Sequence, residues 1–403
     1  MLARLKIAGA WLQPGAAVFV NTLAMPDTLS TQPLPSSPPL QERALSLTFS
    51  GTGAEYFRIW IVNLLLTIVT LGIYSAWAKV RRLQYFDRNT ALDGAAFDFH
   101  GDPVAVLKGR IVAVVLLFAY QMAFGFSLVA GLIVFSLLLL VLPYLLRGAL
   151  RFRLRNTSWR GLPFAFTGTT GGAYAVFVPP MLMFMMPALL AATMARSGPR
   201  PPSPWFALFL LLYLAWPTLH AAVKRYQHGH VRFGGADSVY TLKARRFWPP
   251  YLMAFAMMFG IGIALAIIVG ITAKLAPKGG VGLLITFVPL TLGYLAFLAI
   301  FPFLQGRLGN LVWSHTAFPG VTIASDMTFG GLLKLHAVNG VLTVLTLGLF
   351  RPFAAVRAHR YALAHLHIST SIDIDALLDA GEHARVNAIG DGAADFAGFD
   401  VSL

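Results

Sequence analysis

The chain has no cysteine, which excludes disulfides, thiol nucleophiles and thiolate-ligated metal. Charge is scarce: acidic and basic residues together make up 12% of the chain, with 16 acids against 31 bases. Seven of those acids (Asp373, Asp375, Asp379, Glu382, Asp391, Asp395, Asp400) lie from Thr370 onward, beside the single base Arg385. The long apolar runs contain no acid at all. Proton- and cation-coupled transporters place a carboxylate inside the membrane, so its absence argues against that class. The same absence removes the acid–base pairs of intramembrane hydrolases. There is no phosphate-binding loop, no nucleophile elbow and no His-Glu-x-x-His. The close histidine sets, His228-x-His230 and His359-x5-His365-x-His367, have no neighbouring Glu and read as interfacial side chains. The expectation is a non-enzyme without cofactor or metal.

What is present is apolar surface. Hydrophobic residues make up 57% of the chain and mean hydropathy is +0.70, the composition of a polytopic membrane protein. Charge-free runs cover 111–146, 173–195, 205–223, 251–273 and 282–304. The first exceeds the roughly 20 residues of one span and is expected to turn near Phe124-Gly125-Phe126. The Met-rich stretch Met181–Met186 reads as soft apolar filler. Bases cluster in the connections, at Arg147–Arg160 and Lys224–Arg246, which places those connections in the cytoplasm. Residues 1–47 read as a weak leader and a Pro-rich disordered linker, 48–368 as the membrane domain, and 369–403 as an acidic, disordered tail.

One segment occurs twice at a constant offset of 276 residues. Asn63, Thr67, Thr70-Leu71-Gly72, Arg81 and Tyr85 recur as Asn339, Thr343, Thr346-Leu347-Gly348, Arg357 and Tyr361. The basic connections repeat as well: Asn89-Thr90-x3-Gly94-x2-Phe97-x-Phe99-x-Gly101 matches Asn156-Thr157-x3-Gly161-x2-Phe164-x-Phe166-x-Gly168. Weaker copies start at His230 and His315. Alternating Phe around a Gly turn predicts a β-hairpin at the membrane surface. If 57–78 and 332–350 each crossed fully, Arg351, Arg357 and Arg360 would lie outside, against the charge bias. A break at Gly72 and Gly348 avoids this, because a segment that enters, turns and returns keeps both ends cytoplasmic. The expected fold is therefore an all-α polytopic membrane protein with internal repeats and small cytoplasmic β-hairpins. It has six transmembrane helices plus two re-entrant or interfacial segments, with eight full spans as the alternative.

Phe49-Ser-Gly51, Glu55-Tyr56-Phe57, Asn63-Leu-Leu-Leu-Thr67, Thr70-Leu-Gly-Ile-Tyr-Ser-Ala-Trp77-Ala-Lys79-Val-Arg81 and Asn89-Thr90 resemble the YjgN-like family of bacterial inner-membrane proteins. The likeness covers roughly Thr48 to His367. It implies a multi-pass protein of the bacterial inner membrane and carries no activity with it. The second copy departs from the motif, with Arg351-Pro352-Phe353 standing where the first has Ser75-Ala76-Trp77.

The candidate ligand-binding residues are Asn63, Thr67, Arg81, Tyr85, Asn339, Thr343, Arg357 and Tyr361, with Gly72 and Gly348 as hinges. Arg81/Tyr85 and Arg357/Tyr361 are four apart, on one helix face. They serve either as headgroup-level anchors or to capture a lipid phosphate. The Asn and Thr pairs serve either as interhelical glue or as the polar lining of a site beside a broken helix. Two functions follow: transport or lipid handling between the duplicated segments, with anionic headgroups as partners, or a scaffold that holds a membrane protein partner through its basic cytoplasmic face. Nucleic acid is not an expected partner.

Overall fold

A computed structural model describes residues 42–197, 213–275 and 280–375, together with 378–379 and 381. The expected leader, the Pro-rich linker before residue 42, the Ser197–Ser203 turn beyond Ser197 and the distal acidic tail lie outside the described residues.

Five helical excursions alternate with short strands. β1 (Arg43–Leu45) and β2 (Leu47–Phe49) lead into α1 (Gly53–Val69) and α2 (Ser75–Arg88). β3 (Thr90–Leu92) and β4 (Ala95–Phe99) lead into α3 (Pro103–Phe126) and α4 (Leu128–Arg155). β5 (Thr157–Trp159), β6 (Leu162–Pro163) and β7 (Ala165–Phe166) precede α5 (Thr170–Ser197) and α6 (Trp216–His228). β8 (Val231–Phe233), β9 (Ala236–Asp237) and β10 (Val239–Tyr240) precede a 3-10 turn (Ala244–Phe247), α7 (Trp248–Leu275), α8 (Gly280–Leu298) and α9 (Ile300–Trp313). β11 (Thr316–Phe318) and β12 (Val321–Ser325) precede α10 (Phe329–Leu345), α11 (Arg351–Ala364) and β13 (Leu366–Thr370).

The strands join edge to edge in a closed, wholly antiparallel circuit. Hydrogen-bonded neighbours run β1-β13-β12-β11-β10, β2-β3-β4-β5-β6 and β7-β8-β9. The three stretches connect through bent strands, β1 into β2, β6 into β7 and β9 into β10, each pairing with one neighbour through its first half and with the next through its second. One backbone bond recurs at the end of each second strand. Ser50 N–H donates to Asn89 O (3.0 Å), His100 to Asn156 (2.8 Å), Thr167 to His230 (2.9 Å), Thr241 to His315 (3.1 Å) and Asp326 to His365 (3.2 Å). Every helical excursion therefore starts and finishes at the same ring. Closure also pairs the strand edges that would otherwise template aggregation.

The hairpin tips follow turn chemistry. Asp93-Gly94, Arg160-Gly161 and Gly234-Gly235 all have positive φ at both positions, the requirement of the two-residue I′ turn. Pro319-Gly320 has it at Gly320 alone, as a type II turn demands. Inside the ring Leu45, Trp159, Leu162, Phe233 and Ile374 form a buried cluster, with Leu92, Phe97, Phe164, Phe318 and Ile368 packed against it. Ile374 arrives from the start of the acidic tail, where Asp375 pairs with Arg160 at 2.7 Å. The ring thus takes in Arg43–Leu45 and Ser369–Thr370, residues that the sequence boundaries put in the linker and the tail. Strands of three to five residues carry too little periodicity to show there.

Among the described residues, four stretches are long and apolar enough to cross a membrane: Pro103–Phe126, Leu128–Arg155, Ala244–Thr272 and Phe287–Trp313. Ser127 separates the first two, one residue beyond the expected turn; its extended backbone breaks the helix and its hydroxyl accepts from Ala130 N–H at 3.0 Å. α1 and α10 have 17 residues each, about 25 Å at 1.5 Å per residue, less than the roughly 30 Å of a hydrocarbon core.

Candidate functional site

The duplicated segments form two short helical hairpins, α1–α2 and α10–α11. α1 starts with a capping box: Thr52 Oγ1 accepts from Glu55 N–H and Glu55 Oε2 accepts from Thr52 N–H, both at 3.3 Å. It stops at Thr70-Leu71-Gly72. There Gly72 N–H donates to Thr67 O (2.7 Å) and Leu71 N–H to Ile68 O (3.1 Å), the paired bonds of a Schellman ending. Gly348 to Thr343 (2.7 Å) and Leu347 to Val344 (3.0 Å) repeat the geometry. Gly72 and Gly348 have φ of 93° and 92°, and Leu71 and Leu347 both have φ of 50°. The expected hinges are thus tight helix stops, and after each the chain turns back to the ring.

Each hairpin is set by contacts with its neighbours. Arg110, seven residues into α3, donates to Ser75 Oγ in the first turn of α2. The tip of α1–α2 therefore lies level with the second turn of its long neighbour. A Cβ on Gly53, the first residue of α1, would meet the ring of Phe353 in the first turn of α11 at 2.5 Å. The two hairpins pack directly on each other, with Tyr56, Tyr85, Phe86 and Val356 as a shared buried cluster.

The candidate residues separate within this frame. Thr67 and Thr343 each donate to the Asn carbonyl one turn back at 2.6 Å and so are satisfied within their own helices. Asn63 and Asn339 are buried, with 6% and 8% exposure. Asn339 Nδ2 donates to Ala354 O on the facing helix at 3.5 Å, and neither Asn Oδ1 has a partner. Tyr85 and Tyr361 latch the base of their hairpins, donating to Thr52 O (2.8 Å) and Thr328 O (3.3 Å). Tyr226 does the same to Thr169 O at 2.8 Å. That third latch had a readable signal: Tyr85, Tyr226 and Tyr361 each stand four residues before the Asn or His that immediately precedes a ring strand. Arg81 and Arg357 are both exposed.

Of these candidates, Arg81 and Tyr85 line an open groove of about 520 Å³ between α1 and α2. The groove also takes in Arg58, Val62, Gln84 and Arg88. No acid lines it. Arg88 is paired with Asp98 at 2.7 Å, whereas Arg58 and Arg81 have no acidic partner among the described residues. The Arg81 guanidinium lies 5.7 Å from the centroid of the Tyr74 ring. Arg58 and Arg88 were missed in the sequence because only the hairpin fold brings residues 58, 81 and 88 together.

Beside the groove, burial pushes the Asp87 carboxyl up to about 6; Arg153 pulls it down and Asp98 pushes it further up. Burial, with the charges of Arg110 and Arg153, lowers Lys79. His359 sits with ring centroids 4.8 Å from both Phe49 and Phe86, its Nε2 3.0 Å from Thr90 Oγ1. Burial, helped by Arg82, lowers it to about 4. Burial and Lys224 lower His228 likewise to about 4. Among the described residues no three His, Asp or Glu side chains gather as metal ligands would.

Residues 44–396 match the family described as a bacterial protein of unknown function, DUF898. The chain belongs to this family. The match thus covers all five helical excursions and the strand ring except Arg43. The chain is similar to inner membrane protein YjgN of Escherichia coli K12, 34% identical over 140 residues, 34% of this chain and 35% of that protein. It is also similar to inner membrane protein YjgN of Salmonella typhimurium, 29% identical over 175 residues, 42% of this chain and 38% of that protein. The matches thus span little more than a third of these relatives' lengths. The resemblance to YjgN-like proteins holds, and the apolar helices mark a membrane protein. No solved structure matches.

Proposed function

We propose that this DUF898 member is a multi-pass inner-membrane protein that handles anionic lipid, and that the α1–α2 groove holds the lipid's phosphate headgroup. The observation that carries this is the cluster of Arg58, Arg81 and Arg88 around one groove, two of them without an acidic partner. Guanidinium groups match phosphate oxygens in bidentate geometry. Next to the groove, Leu65, Ile68 and Val69 of α1 are exposed apolar side chains, a surface for acyl chains.

The topology supports the same reading. Each excursion returns to the ring, so each crosses the membrane an even number of times, and the basic ring faces the cytoplasm. The three central excursions supply six crossings, and α1–α2 and α10–α11 enter from the cytoplasmic side and return. Their tips carry Leu71 and Leu347, each 94% exposed in a backbone conformation that costs a bulky residue about 1–2 kcal/mol. Transfer of a leucine into hydrocarbon returns about 1.5–3 kcal/mol, which offsets that strain if the tips dip into the lipid. The fivefold recurrence of hairpin, helix pair and ring hydrogen bond supports an origin by internal repetition.

The test is to purify Arg58→Glu/Arg81→Glu and count retained phosphatidylglycerol by native mass spectrometry. Loss of a bound anionic lipid, with the monodisperse peak and helix content unchanged, is the expected result; retention equal to the parent protein rejects the reading.

A further inference from the structure

The fourth excursion builds a second groove, of about 370 Å³, between α7 and α9. Its construction repeats the first position by position. Arg307 stands eight residues before His315, as Arg81 stands eight before Asn89. His315 and Asn89 are equivalent, because their carbonyls accept the ring-closing bonds from Thr241 and Ser50. On the facing strand-to-helix segment Pro249 and Pro250 occupy the places of Arg58 and Ile59, eight and nine residues after those donors. The cation lost at Pro249 is replaced by Arg246, which comes from the 3-10 turn just before α7 and lines the same groove.

No acid lines this groove either, and Arg246 and Arg307 have no acidic partner among the described residues. The polar floor is already committed. Asn310 donates to Met327 O at 2.8 Å and accepts from Met327 N–H and the Ser325 hydroxyl, both at 2.9 Å. Ser314 Oγ accepts from Ser325 N–H at 3.0 Å. These bonds hold the groove wall in place and leave the two guanidinium groups as the free donors. Arg307 lies 6.0 Å from the centroid of the Phe303 ring, and Phe301 beside it is exposed. Two unpaired guanidinium groups at the junction of an apolar helix pair and a basic ring select a phosphate oxyanion that carries an apolar tail.

We infer that the Arg246–Arg307 groove is a second phospholipid headgroup site, so that the molecule holds two anionic lipids at equivalent places on its ring. This rests on the lipid-handling reading of the first groove. It also depends on the recurrence, which that reading does not require.

The test uses the full chain in detergent with phosphatidylglycerol as the probe, and native mass spectrometry to count retained lipids. The parent protein retains two. Arg246→Glu/Arg307→Glu retains one, with the affinity of the lost site down about tenfold or more, while Arg246→Lys/Arg307→Lys, which keeps the charges, retains two. Arg58→Glu/Arg81→Glu also retains one, and the fourfold variant none. If Arg246→Glu/Arg307→Glu keeps both lipids while Arg58→Glu/Arg81→Glu loses one, the second site is overturned and the first reading stands. If neither variant loses lipid, both fail. Competition with inorganic phosphate separates the sources: displacement of phosphatidylglycerol at millimolar phosphate would mean a free-phosphate site and overturn the lipid assignment.

Discussion

At the scale of single residues the ring's stability rests on a few buried polar and charged groups. Asp87, on α2, is one of them. Its folded-state pKa of about 6 lies above the ordinary carboxylate value, so folding favours the protonated form. Its stabilising proton is fully held below the unfolded value and is lost as pH rises to about 6. Asp87→Asn should raise the melting temperature at pH 7.5 and change it little at pH 4, the difference being on the order of 2–3 kcal/mol. His228 and His359, lowered to about 4, act with the opposite sign. Their neutral forms stabilise the fold above the unfolded value, and that contribution is lost as pH falls through about 6 to 4. Thermal melts of Asp87→Asn across pH 4 to 7.5 should therefore expose an acid-sensitive limb steeper than the parent's. The tyrosine latches give a simpler case: Tyr226→Phe removes one of the two donors to the Thr169 carbonyl, leaving it Ala173 N–H at 3.1 Å, and should cost about 1 kcal/mol, read by denaturant or thermal unfolding in detergent. The sequence marked Tyr85 and Tyr361 by their duplication, as headgroup anchors or phosphate ligands. It could not show that their hydroxyls are spent on backbone carbonyls, because that depends on the distance between the two ends of a hairpin.

At the scale of elements, the short hairpins depend on a backbone stop. Alanine at Gly72 meets no atom within 4 Å, so the cost of Gly72→Ala is the conformational strain of φ 93° alone, about 1–2 kcal/mol. Leu71→Asp keeps the turn and removes the apolar tip. If the tip enters lipid, labelling of this region from the bilayer interior by a hydrophobic photoreactive probe should fall sharply, with the fold retained. Equal labelling of the parent and Leu71→Asp would place the tip in water. The Gly breaks and the turn of the first long run were legible because glycine and charge-free length are local signals. The depth of the hairpins was not, since 17 apolar residues fit a shallow hairpin nearly as well as a span. The Arg110–Ser75 and Gly53–Phe353 contacts, which set α2 against α3 and α1 against α11, belong to the fold and have no signal in the sequence.

At the scale of the whole molecule, closure joins the two ends of the membrane body. β1 and β2 pair with β13 and β3, so the first strand and the last complete one ring. Deleting residues 42–49 should open that ring and expose the cluster around Trp159 and Phe233, measured as a large loss of thermal stability and increased aggregation. The alternating Phe motifs announced the hairpins. Their linkage was hidden, because each bent strand gives only two or three residues to each neighbour. The two grooves were hidden as well, since one is assembled from α1 and α2 and the other from α7 and α9, residues that lie far apart in the chain. The central claim is that every excursion returns to one face. Single cysteines test it in a chain that has none of its own: Ala44→Cys and Ala96→Cys flank the first hairpin, Ala324→Cys and His367→Cys the last, and Gly125→Cys marks the far end of the α3–α4 pair. With a membrane-impermeant thiol reagent, the four ring positions should label only after the membrane is opened, while Gly125→Cys labels on intact cells. Labelling of Ala44→Cys and Ala96→Cys from opposite sides would contradict the account.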